Sequence, residues 1–178
     1  VGASDETGLW GYIECCAELR NDFAEHNISP GYIVSATGSG GTQGGLIIGA
    51  KRYDLGADVV AFNVCDDEDY FINKIREDFE LWEKRYNTGL DTTELPINII
   101  DGYVGPGYAQ ATPAIFDTIK QVATMEGIIL DPVYTGKAFH GMLQEINKGR
   151  FADTDDIVFL HTGGIFGNFP QRNEFGFP

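Results

Sequence analysis

Apolar residues fall along the chain in two alternating rhythms. Five short runs are almost continuously apolar: Tyr32 to Thr37, Val59 to Val64, Ile97 to Asp101, Ile128 to Val133 and Ile157 to His161. Short runs with no polar face predict strands covered on both sides, as in a parallel sheet. Between them the apolar positions recur at spacings of three and four. In Leu9 to Asn27, the residues Leu9, Ile13, Cys16, Leu19 and Phe23 share one helical face, and Pro30 and Gly31 end the segment. Thr42 to Tyr53, Asp69 to Tyr86, Pro113 to Glu126 and Thr135 to Lys148 are predicted as the other helices. Asn87 to Leu95 is polar and reads as a loop, and Phe166 to Pro178, rich in Phe, Gly and Pro, reads as irregular. The alternation predicts an α/β fold: an open, doubly wound, mostly parallel sheet with helices on both faces, residues 1–178 forming a single domain. In such sheets ligands gather at the carboxyl ends of the strands.

Composition narrows the choice of partner more than the choice of fold. The 178 residues, 43% of them hydrophobic, supply one core of ordinary domain size. With 27 acidic and 12 basic side chains the net charge is -15. Such a surface repels phosphate backbones and anionic lipid, so neither nucleic acid nor a membrane surface is expected as a partner. Cys15, Cys16 and Cys65 show no CxxC spacing, which suggests neither a disulfide framework nor a zinc site. No metal site is expected, a reducing cytoplasm is, and the adjacent Cys15 and Cys16 read as small core residues. Val1 is followed by Gly-Ala-Ser-Asp rather than by a basic segment and an apolar run, so no signal peptide is read there. No apolar run approaches membrane-spanning length.

The strongest local signal is Thr37-Gly38-Ser39-Gly40-Gly41-Thr42, lying between a predicted strand and a predicted helix. Glycines let a backbone turn tightly with its N–H groups pointing inward, and the positive end of a helix dipole favours a phosphate there. The same turn could be structural. It is neither GxxxxGK[ST] nor GxGxxG, which argues against a nucleoside triphosphate or a dinucleotide. Three further predicted loops follow strands: Gly105-Pro106-Gly107-Tyr108, Asp131-Pro132-Val133-Tyr134-Thr135 and His161-Thr162-Gly163-Gly164. Each sets a backbone-shaping residue beside an aromatic or hydroxyl side chain, a combination suited to a flat, hydrogen-bonding ligand. Read alone, Tyr108 and Tyr134 are equally half-buried aromatics, Thr162 the end of a strand, and His161 a packed or solvated histidine.

Taken in order, these loops, extended by Gln43, by Gly136-Lys137-Ala138 and by Ile165-Phe166-Gly167, resemble the fold-type II pyridoxal-phosphate enzymes. Within them the chain is most similar to the D-cysteine desulfhydrase and 1-aminocyclopropane-1-carboxylate deaminase family, and Gly2-Ala3-Ser4 and Gly8-Leu9-Trp10-Gly11-Tyr12 match the segment that precedes the phosphate loop there. The resemblance implies pyridoxal 5'-phosphate as cofactor, with Thr37, Gly38, Ser39, Gly40, Gly41 and Thr42 around its phosphate and Thr162 near its pyridine nitrogen. It implies Tyr108 and Tyr134 as the catalytic tyrosines beside a small amino-acid substrate, and a homodimer for the full-length proteins. The family's deaminases typically place a glutamate directly after the second tyrosine. Here Thr135 stands at that cofactor-binding position, and a neutral hydroxyl cannot hold the pyridine nitrogen protonated as a carboxylate does. Elimination of a thiol needs a weaker electron sink than opening a cyclopropane, so D-cysteine desulfhydration is expected over deamination.

The family's Schiff-base lysine lies in a region before the Gly-Ala-Ser segment. None of Lys51, Lys74, Lys84, Lys120, Lys137 and Lys148 sits in that lysine's sequence context, and each reads as a solvated helix residue. The resemblance therefore implies the carboxy-terminal part of a lyase, lacking the amino-terminal segment and small domain and inactive alone. The missing half or a second copy of the chain is the expected partner. A binding module that holds a phosphorylated small molecule without turnover is the reading from another class.

Overall fold

In the computed structural model, residues 4–176 are described; Val1, Gly2 and Ala3 of the family-like opening, and the last two residues of the tail, lie outside them. Among the described residues the order is α1 (Leu9–His26), β1 (Tyr32–Thr37), α2 (Gly41–Tyr53), β2 (Asp58–Asn63), α3 (Glu68–Tyr86), β3 (Asn98–Ile100), α4 (Pro113–Glu126), α5 (Thr135–Asn147) and β4 (Ile157–Phe159). Two short 3-10 helices, Ile165–Asn168 and Arg172–Phe175, follow. They occupy the stretch whose sequence suggests irregular structure.

The strands form one parallel sheet in the order β3-β2-β1-β4. The chain winds outward from β1 through β2 to β3, then returns to place β4 on the other side of β1. This is the doubly wound arrangement, and the reversal leaves a crevice between β1 and β4 at their carboxyl ends. Alternate residues of each strand supply opposite faces. Ile33 and Val59 pack with Leu9, Ile13, Leu46, Ile75, Phe79 and Trp82 of α1, α2 and α3. Val34, Val60 and Phe62 pack with Ala138 and Met142 of α5 on the other face. Burial on both faces is why these strands carry no polar rhythm. Full burial of each such Leu, Ile or Phe side chain contributes about 1.5–3 kcal/mol.

Local chemistry ends the helices where the sequence suggests. The carboxylate of Asp67 accepts the Tyr70 N–H at 2.8 Å and caps α3. Pro113 opens α4, and Gly127, with φ at 69°, closes it. Close approach of α1 to α2 depends on small residues: a Cβ on Gly45 would lie 2.6 Å from the Leu9 carbonyl oxygen and 2.7 Å from Tyr12 Cβ. That contact brings Tyr12 over the start of α2.

One predicted strand is absent. Residues 128–133 pair with no strand among those described. Pro132 has no N–H to give a ladder, and the carboxylate of Asp131 takes the N–H groups of Val133, Tyr134 and Thr135 at 2.7, 2.9 and 2.8 Å. The carbonyl of Leu130 is met instead by the side-chain amide of Asn168 at 3.1 Å. An apolar run thus becomes the approach to α5, with Leu130 buried and Ile128 and Ile129 exposed.

Candidate active site

The carboxyl ends of β1, β2 and β4 and the loops before α4 and α5 surround an open cleft of about 780 Å³. Gly38, Ser39 and Thr42 form one wall, Tyr108 and Tyr134 another, and Thr162, Gly163 and Gly164 a third. The turn from β1 into α2 needs a left-handed residue, which Gly40 supplies with φ at 85°. No side chain caps α2 at its start, so its first N–H groups remain available to an anion. A Cβ on Gly38 would lie 3.1 Å from Val64 Cγ2 and 3.2 Å from the Tyr134 ring, so the bare backbone lets that ring reach the loop. Ser4 meets Ser39, hydroxyl to hydroxyl, at 2.6 Å and tethers the opening segment to the turn.

Tyr134 leaves the turn that starts α5, and its hydroxyl is hydrogen-bonded to that of Tyr108. Tyr108 is 53% exposed, whereas Tyr134 is half-buried. Burial, and then the hydrogen bond with Tyr108, push the Tyr134 phenol up to about 12. It is a neutral proton donor throughout the physiological range. His161 shapes the third wall: its Nδ1 accepts the Gly163 N–H at 3.0 Å, which leaves Nε2 to donate to the Ile129 carbonyl at 3.0 Å.

The sequence-predicted residues divide into three groups. Gly38, Ser39, Thr42, Tyr108, Tyr134 and Thr162 meet around the cleft, and Gly40 and Gly41 form the turn behind the first three. Thr37 and Thr135 do not line it. Thr37 is 2% exposed at the end of β1. Thr135 is fully buried, and its hydroxyl is engaged with Asp131 as both donor and acceptor, at 2.7 and 3.0 Å.

Three lining residues carry no sequence signal as strong as the glycine turn: Tyr12, Cys65 and Asp66. Cys65 and Asp66 follow β2, where the rule for open sheets could have found them. The Cys65 thiol is pushed up to about 11 by burial first and by Asp66 second. Asp66, in the left-handed region with φ at 51°, is held there by the Asn63 amide, which donates to its carbonyl at 3.2 Å. No group of metal-ligating side chains occurs among the described residues.

The crevice lies within the stretch that a family comparison covers: the model of the pyridoxal-phosphate dependent enzymes fits residues 2–163. The chain belongs to this family. It is 38% identical over 177 residues to the bifunctional D-cysteine desulfhydrase/1-aminocyclopropane-1-carboxylate deaminase, mitochondrial, of Arabidopsis thaliana, covering 98% of this chain and 43% of that protein. It is 34% identical over 176 residues to the D-cysteine desulfhydrase of Yersinia pestis, covering 96% of this chain and 52% of the relative. A crystal structure of a homologue of the deaminase superposes with a TM-score of 0.85 at 31% identity, covering 98% of this chain and 51% of that one. The chain spans about half the length of the curated relatives it matches.

The residues present fit the family's cofactor. An uncapped helix start behind Gly40 suits a phosphate monoester, and a cleft of about 780 Å³ lined by Tyr134 and the loop after β4 has the volume for a substituted aromatic ring. Among the described residues no lysine or arginine lines the cleft, and the donors on that wall are the backbone N–H groups of the turn and the hydroxyls of Ser39 and Thr42.

Proposed function

We propose that residues 1–178 form a single cofactor-binding domain of a pyridoxal-phosphate lyase that converts D-cysteine to pyruvate, sulfide and ammonia. The observation that carries this reading is the Tyr108–Tyr134 hydroxyl pair facing the Gly38–Thr42 turn across one cleft. When bound, the cofactor supplies an electron sink for the pair released at Cα. The backbone N–H groups of residues 38–42, with Ser39 and Thr42, would hold the phosphate, and Thr162, on another wall of the cleft, would offer its hydroxyl to the ring nitrogen. Tyr134 stays protonated and can donate a hydrogen bond to the departing sulfur or hold the substrate carboxylate, with Tyr108 fixing its direction.

One feature favours thiol elimination over cyclopropane opening: the loop that bears Tyr134 brings no carboxylate to the cleft, Thr135 being neutral and turned to Asp131. Asp66 is the one carboxylate among the lining residues, and it lies at the end of β2 rather than in the loop that bears Tyr134. The deaminase remains the alternative within the same family. The lysines give no base: Lys137 is buried beneath the loops, and none of the others lines the cleft. Turnover then needs the half that the relatives possess beyond the matched region. The exposed, stacked rings of Phe166 and Phe169, 6.1 Å apart, favour an apolar covering by that half or by a second copy in a homodimer. No helix among the described residues is long and apolar enough to cross a membrane, and three free thiols favour the cytoplasm.

The test is spectroscopic titration of the chain with pyridoxal phosphate, followed by borohydride reduction and peptide mapping. Reversible binding displaced by inorganic phosphate, without a stoichiometric adduct, is expected. A stoichiometric adduct on Lys137, or binding indifferent to phosphate, contradicts the reading. Sulfide release from D-cysteine, compared with ammonia release from the cyclopropane substrate in the longer protein, separates the lyase from the deaminase.

A further inference from the structure

Lys137 is the one fully buried lysine among the described residues, although its sequence reads as a solvated helix position. An ammonium taken out of water costs several kcal/mol unless its protons find acceptors. Here no carboxylate pairs with it. Its Nζ donates instead to the carbonyls of Val104 at 2.6 Å and Gly107 at 2.8 Å. Those carbonyls bracket the Gly105-Pro106 turn, and the next residue is Tyr108.

The tip of the loop, beyond Tyr103, has little else to hold it. Between β3 and α4 the regular backbone pairing is a single bridge, Gly107 to Gln110, and Gly105 and Gly107 both lie at positive φ, 73° and 155°. Two ends of α5 hold the loop: Glu145 and Lys148 fix its base through the Tyr103 hydroxyl, whereas its tip is attached from the helix start, by Lys137 through two carbonyls and by Tyr134 through the Tyr108 hydroxyl. Lysine suits the task because an unbranched stem reaches across the packed helix start and ends in three donors. A carboxylate partner would neutralise the charge but leave both carbonyls unmet.

We propose that Lys137 is the positioning residue of the Tyr108 loop, its ammonium clamping the Val104 and Gly107 carbonyls so that the Tyr108 hydroxyl is held at Tyr134. The clamp touches neither cofactor nor substrate. Its significance for catalysis rests on the proposed function, because that reading gives the tyrosine pair its role.

The test needs no cofactor. Lys137→Met keeps the stem and removes every donor. In the variant, the Gln110 amide hydrogen, which the Gly107 carbonyl accepts at 3.2 Å, is expected to exchange at least tenfold faster while the amides of α2 keep their rates. The Tyr134 phenol, isolated as the difference from a Tyr134→Phe chain in an ultraviolet titration, is expected to ionise at a lower pH once Tyr108 no longer meets it. Lys137→Gln, which retains amide donors on a shorter stem, should recover part of both effects. A folded Lys137→Met chain with unchanged loop exchange and an unchanged Tyr134 titration overturns the proposal, as does a uniform acceleration along the whole chain. If that variant does not fold, acetylation of the wild-type chain decides. Lys137 should be modified at the opening rate of the Gln110 amide; modification only at the rate of global unfolding refutes a local clamp. None of these readouts involves pyridoxal phosphate, so a failed clamp leaves the proposed function untouched, and a chain that does not bind the cofactor leaves the clamp standing.

Discussion

Asp131 and Thr135 close a ring of hydrogen bonds: Oδ1 of Asp131 accepts both the Thr135 N–H at 2.8 Å and its hydroxyl at 2.7 Å, while the Thr135 hydroxyl accepts the Asp131 N–H at 3.0 Å. The other carboxylate oxygen takes the N–H groups of Val133 and Tyr134. One buried side chain therefore sets the turn from which Tyr134 emerges. Asp131→Asn puts an amide donor against these N–H groups and should destabilise the fold by about 2–3 kcal/mol. Thr135→Val should cost about 1–2 kcal/mol. Urea midpoints of the two variants check the order, and equal stability of Asp131→Asn and wild type contradicts it.

Gly164 lies at φ 94°, and a Cβ there would come 2.7 Å from the same Asp131 Oδ1. Both backbone and space exclude a side chain. Gly164→Ala should lose about 1–3 kcal/mol through strain. It should also weaken pyridoxal-phosphate binding at least tenfold by moving Thr162 and Gly163, which share the cleft wall. Fluorescence titration of the folded variant measures this, and unchanged affinity would separate the loop from the ligand.

Acid sensitivity should come in part from Glu145. Its carboxylate accepts from Lys148 at 2.8 Å, from the Tyr103 hydroxyl at 2.5 Å and from Arg150 at 2.5 Å, which together hold it down at about 2. In the unfolded chain a glutamate titrates near 4.3, so folding is favoured above that pH and the contribution disappears as pH falls toward about 2. The loss is on the order of 2 kcal/mol. Glu145→Gln should flatten the stability curve over that window in denaturant titrations at stepped pH. A variant as acid-labile as wild type would assign the sensitivity elsewhere.

Cys65 lines the cleft, yet its thiol is pushed up to about 11. At pH 8 about a thousandth of it is thiolate, so alkylation by iodoacetamide should be slow and rise with pH. Pyridoxal phosphate should slow it further by covering the residue. Peptide mass spectrometry of timed samples gives the rate; fast labelling at pH 8, or labelling indifferent to the ligand, would displace Cys65 from the site.

What the sequence makes legible follows from how local the determining forces are. The two apolar rhythms report burial on one or two faces, so all five helices and four of the strands can be read from them. The glycine turn after β1 is legible because only glycine meets its backbone demand at Gly40. Residues 128–133 mislead because their burial comes from packing beside α4 and α5, and the decisive hydrogen bonds run from one carboxylate to the next helix. Lys137 misleads in the opposite sense. Its acceptors lie 33 and 30 residues earlier in the chain, and no periodicity records a contact of that separation. The tyrosine pair is legible through the family resemblance, whereas its mutual hydrogen bond is a product of the fold.

The sheet order also bears on how the molecule reaches this state. Tyr32 of β1 pairs with Ile157 of β4, and both walls of the crevice hang on that junction. Closing a loop of this length carries a large entropic cost before any contact offsets it, and parallel pairings of such separation form slowly. The helices α1, α2 and α3 can assemble on β1 and β2 from contacts nearer in sequence. A ligand site at the β1–β4 junction is then a late product of folding, and a chain stalled before that step would hold most of its helical content without the pocket.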